Sequence, residues 1–112
     1  MTEKIINVCK DFSTDPWGRF VTDNPLSSGE AFRKEYLLQA FKENDKVTVD
    51  FSDLEYVPDS SFLGEAFIGL VKSDHFSYEE VLSKLNILPK DGFYPELIKR
   101  LFMLAKNENV IL

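Results

Sequence analysis

The chain has one cysteine and one histidine in 112 residues. A lone Cys9 cannot form an internal disulfide, which suits a reducing compartment. One Cys with one His also falls short of the ligand set of a structural zinc site. Glycine is scarce and scattered, with five residues in all. No P-loop or dinucleotide pattern is present, so no nucleotide-driven chemistry and no cofactor are expected. No apolar run approaches the roughly 18 residues of a membrane span. Met1-Thr2-Glu3-Lys4 lacks the basic and apolar regions of a signal peptide, and a cytoplasmic location is expected. Positive charge is also short: 13 Lys and Arg stand against 19 Asp and Glu, for a formal net charge of −6. Such a surface repels phosphate backbones and anionic lipid, so neither nucleic acid nor membrane is an expected partner.

What is present is apolar bulk. Hydrophobic residues make up 44% of the chain and ten of them are Phe, enough for one core in a single domain over 1–112. Ile5, Ile6 and Val8 suggest a first strand, Asp15-Pro16-Trp17-Gly18 a turn, and Arg19-Phe20-Val21 a short second strand. Ser27-Ser28-Gly29-Glu30 matches a capping box with Ser27 as N-cap, opening a helix to about Glu43. Val47, Val49 and Phe51 alternate with polar residues as a strand does. A helical pattern begins at Ser61, with Phe62, Leu63, Ala66, Phe67, Leu70 and Val71 on one half of the wheel. Ser77 caps a short third helix, Leu85–Leu88 fits either helix or strand, and Pro95 fits the first turn of a last helix. Leu97, Ile98, Leu101, Phe102 and Ala105 form that helix's apolar stripe, and Val110-Ile111-Leu112 either docks or frays. Strands alternating with helices point to an α/β fold: a small single-layer mixed sheet packed against helices.

The stretch from Val47 to Lys72 is the most informative. A strand runs into an acidic loop that ends at Asp59-Ser60-Ser61, where the second helix starts. Hydroxyls at the positive end of a helix suit either of two roles. One is N-capping, worth about 1 kcal/mol; the other is a phosphate acceptor. On the far half of this helix, Gly64, Glu65, Ile68 and Gly69 read either as a smooth partner-facing surface with an apolar knob or as incidental exposure. Arg33 falls among apolar positions of the first helix. It either snorkels to solvent or grips a carboxylate or phosphate in a fork. His75 lies at the opposite end of the second helix from the serines, roughly 15 Å away at 1.5 Å rise per residue. That separation disfavours a Ser–His pair and hence a hydrolase. Asp50, Asp53 and Glu55 are read as a solvated acidic loop rather than a metal site.

Val49-Asp50-Phe51-Ser52 followed by Asp59-Ser60-Ser61-Phe62-Leu63-Gly64 resembles the signature of STAS domains, the group that includes bacterial anti-sigma factor antagonists. Together with Gly18-Arg19, Ser28-Gly29-Glu30, Phe32-Arg33 and Ser61-Phe62-Leu63-Gly64-Glu65-Ala66-Phe67, it is similar more closely to a STAS-like family of unknown function. The resemblance covers roughly Ile5 to Leu88. It implies a STAS-like fold and a regulatory, non-enzymatic role through a protein partner, a kinase-like ATPase or an anti-sigma factor. By motif position, the phosphorylated residue would be Ser60, while Ser61 is the serine shared with the closer family. The docking face it implies contains Asp59, Ser60, Ser61, Phe62, Gly64, Glu65 and Ile68. Phe62 stands where the signature has Gly, and its ring is expected to alter how the loop presents Ser60. The alternative is a sensor of an anionic nucleotide or metabolite, with Arg19 and Arg33 as the anion-binding residues.

Overall fold

The computed structural model describes residues 2–90 and 92–108. The expectation for Val110-Ile111-Leu112 lies outside the described residues. Strands β1 (Glu3–Asn7), β2 (Lys46–Asp50) and β3 (Leu85–Leu88) form one sheet in the order β1-β2-β3. Both pairings are parallel, with Ile6 opposite Val49 and Val49 opposite Ile87. The sheet is therefore not mixed, because each strand is joined to the next through helix that returns the chain to the same end. Leu85–Leu88 is strand. Arg19-Phe20-Val21 is not: these residues belong to a loop that bends at Gly18, whose φ of 85° suits a residue without a Cβ.

Four helices complete the fold among the described residues: α1 (residues 29–43), α2 (residues 60–72), α3 (Tyr78–Lys84) and α4 (Tyr94–Glu108). α1 and α2 each widen into π turns midway, at Arg33–Leu37 and Gly64–Ile68, and a further π turn, Val8–Phe12, follows β1. The cap of α1 is Ser28, one residue later than the capping box suggests; its Oγ accepts from the Ala31 N–H at 3.1 Å. Glu30 instead accepts from the Val21 N–H at 2.9 Å, and Ser27 pairs with the Ser13 hydroxyl. Ser77 does cap α3, accepting from the Glu80 N–H.

The core lies between the sheet and the helices. Phe32, Phe41, Phe51, Phe62, Phe67 and Phe102 are all within 2% of full burial. At about 25 cal/mol per Å² each contributes on the order of 2–3 kcal/mol. The helix-free face of the sheet is polar at its centre. There the buried Thr48 hydroxyl donates to Glu3 and accepts from Asn86, linking all three strands.

α2 is the most enclosed element. Every residue from Phe62 to Leu70 is buried, Ile68 completely. It packs against α1 on one side and α4 on another. Two glycines allow the close approach to α1. A Cβ on Gly29 would lie 2.4 Å from the Phe62 carbonyl oxygen, and one on Gly69 would lie 2.5 Å from Arg33 Nε.

Candidate functional site

Asp59 caps α2. One of its carboxylate oxygens accepts from the Phe62 N–H at 2.8 Å and from the Gly18 N–H at 3.3 Å. The capping role considered for the serines therefore belongs to their neighbour. Ser60 is exposed and Ser61 half-buried. Phe62 turns inward, stacking on Phe32 with ring centroids 5.8 Å apart. Its ring fills the core rather than reshaping the loop around Ser60.

The loop that holds Gly18 is lashed to the same end of the helix pair. The Gly29 N–H donates to the Gly18 carbonyl at 2.9 Å and the Glu30 N–H to that of Arg19 at 3.0 Å. This brings Trp17 and Phe20, 47% and 45% exposed, to the end of the molecule that carries Ser60. On the chain segment leading into α2, Tyr56 and Val57 are also exposed. Ser60 thus follows the residue that ties the Gly18 loop to the start of α2, and the two segments joined there carry these exposed apolar side chains.

One turn below Ser61, the same helix holds a buried charge network. Arg33 is 3% exposed and does not snorkel. Its Nε donates to the Glu65 carbonyl at 3.0 Å and its two terminal nitrogens to the Glu65 and Asp74 carboxylates at 2.8 Å each. Arg19 stands 3.7 Å from the other Glu65 oxygen. Burial works to lower the Arg33 pKa, but its hydrogen bonds to Asp74 and Glu65 outweigh it and hold the value above that of a free guanidinium. The fork therefore grips carboxylates of its own chain, and a free anion would have to displace Glu65 or Asp74.

Of the proposed docking residues, Asp59, Ser60 and Ser61 reach the surface, whereas Phe62, Gly64, Glu65 and Ile68 do not. Ile68 is a core residue and not an exposed knob. The smooth glycine surface does receive a close partner, and at Gly69 that partner is Arg33 of the same chain. The sequence places Trp17 in a turn and Phe20 in a strand-like run, but the exposure of Trp17, Phe20, Tyr56 and Val57 carries no sequence signal, because single exposed apolar residues are common. Asp53, considered for a cation, instead accepts from the Asn7 amide at 2.8 Å and faces Lys10. His75 is exposed, with a φ of 68° in the left-handed region.

A family model described as a STAS-like domain of unknown function (DUF4325) matches residues 28–88. The match runs from the α1 cap to the end of β3 and includes Arg33, Glu65, Asp74 and both serines. No curated protein and no solved structure matches the chain significantly. No helix among the described residues is long and apolar enough to cross a membrane.

Proposed function

We propose that this chain, which belongs to the family of STAS-like domains of unknown function, acts by binding a partner protein at the start of α2, with phosphorylation of Ser60 controlling that contact. The observation that carries this is the exposed Ser60, relieved of capping by Asp59, at the junction of two segments that carry the exposed side chains of Trp17, Phe20, Tyr56 and Val57. Aromatic side chains of this kind are the residues that anchor protein interfaces. A phosphate would add about −1.5 to −2 charges at neutral pH. Placed beside Asp59, it would repel a partner fitted to a neutral hydroxyl and an apolar rim. Exposure favours Ser60 over the half-buried Ser61 as the acceptor.

The partner in this scheme carries its own ATP site, as a kinase-like ATPase or anti-sigma factor does, and the domain contributes recognition and no catalysis. Incubating the chain with such a partner and ATP, then mapping phosphate by mass spectrometry, provides the test. Phosphate on Ser60 is expected, together with weaker binding of Ser60→Glu and of Trp17→Ala. Binding that survives both substitutions unchanged, with no phosphate on the chain, would sink the proposal.

A further inference from the structure

The sheet has two edges, and they differ. On β1 the outward amide of Asn7 is taken by the Asp11 carboxylate at 2.8 Å, and Glu3 and Lys4 place charge along the strand. Such features protect an edge from pairing with another chain. β3 reads Leu-Asn-Ile-Leu and has no charge of its own. Its Leu88 carbonyl accepts from the Phe51 N–H, so Leu88 faces β2. Backbone groups alternate sides along a strand, and the N–H and C=O of Ile87 therefore point outward. Neither has a backbone partner among the described residues.

This edge opens on a groove of about 240 Å³ between β3, α3 and α4. Leu82, Ile87, Pro95 and Ile98 supply its apolar lining, and Lys90 and Lys99 its charge. No described carboxylate lines it. In a chain of net charge −6, two exposed lysines beside an apolar trough make this lining locally positive.

We propose that the β3 edge and its groove dock an extended acidic segment of a partner protein, which adds to the sheet as a fourth strand. The Ile87 N–H and C=O would pair with the incoming backbone. Alternate apolar side chains would enter the groove, and acidic ones would meet Lys90 and Lys99. A second copy of the chain is a poorer occupant, because symmetric pairing of two β3 edges would bring these lysines toward each other. This surface is separate from the Ser60 end and does not depend on that proposal.

The test uses the full chain, 15N-labelled, and a synthetic N-acetylated peptide of alternating valine and glutamate. Saturating peptide is expected to slow hydrogen exchange at the Ile87 amide by about tenfold or more, while Asn7 on the other edge is unchanged. Replacing both lysines, Lys90→Glu with Lys99→Glu, is expected to weaken the peptide about tenfold and to favour a valine–lysine peptide instead. Both lysines are exposed, so the melting temperature of this variant should match the parent's. The proposal is overturned by absence of binding, by binding that leaves Ile87 exchange unaltered, or by equal affinity in the charge-reversed variant. Slowing that grows with protein concentration in the absence of peptide would assign the edge to a second copy and also overturn it. Sodium decanoate shifting Leu82 and Ile98 without protecting Ile87, where the peptide does neither, would assign the groove to a small amphiphile.

Discussion

Arg33 is the residue whose loss the fold should tolerate least. Replacing it with Met keeps most of the side-chain volume and removes all three donations, to the Glu65 carbonyl, the Glu65 carboxylate and Asp74. Glu65 would then be a carboxylate only 4% exposed, with Arg19 at 3.7 Å as its remaining cation. Breaking a buried pair from one side typically costs about 3–5 kcal/mol. Arg19 and the partly accessible Asp74 place the expected cost of Arg33→Met near the lower bound, about 3 kcal/mol. Against a total stability of roughly 5–15 kcal/mol for a domain, that is a large fraction. The double variant Arg33→Met with Glu65→Met replaces both charges by apolar groups and should lose less than the two single variants combined, by about 2 kcal/mol or more. Urea denaturation of the four proteins, with the slope checked for constancy, measures the coupling. A cost below 1 kcal/mol for Arg33→Met, or additivity within about 0.5 kcal/mol, would refute the view that this network joins α1 to α2.

Gly29→Ala should destabilise by about 2–3 kcal/mol, read by the same denaturation, because its new Cβ meets the Phe62 carbonyl, a backbone atom that cannot turn away. Acid titration should reveal Glu30. The Val21 N–H, followed by Lys34, holds its pKa below the ordinary 4.5. A depressed folded-state pKa gives stability that is present above the unfolded value and lost as pH falls through the folded one. Stability measured from pH 6 downward should therefore fall below about pH 4.5, and Glu30→Gln should flatten part of that fall; an unchanged profile in the variant would contradict this.

The strand β2 (Lys46–Asp50) and the helices opening near Ser28, Ser60 and Ser77 are legible because each rests on local periodicity and capping chemistry. The all-parallel sheet was not, since pairing joins segments more than 35 residues apart and leaves no mark on either. Arg19-Phe20-Val21 has strand composition, yet Gly18 and the backbone bonds to Gly29 and Glu30 commit it to a loop. Ile68 reads as exposed on a helical wheel because the wheel assumes one buried face, whereas α2 packs against both α1 and α4 and is buried all round from Phe62 to Leu70. The Arg33–Glu65 pair leaves a partial trace in the sequence: Glu65 is a lone charge in an apolar stretch of helix, and Arg33 falls among the apolar positions of its own helix. Nothing in the sequence placed them opposite one another. Asp59 displaced both serines as cap because its carboxylate also serves the Gly18 amide, a contact 41 residues away.

The most direct measurement is phosphopeptide mapping of the chain recovered from the cells that make it, with and without a candidate partner of the proposed kinase-like ATPase class. A phosphate on Ser60 that appears only with the partner, and a complex that Ser60→Glu disrupts while leaving the urea midpoint in place, is the predicted result. An unmodified Ser60 together with full partner affinity in Ser60→Glu would contradict it.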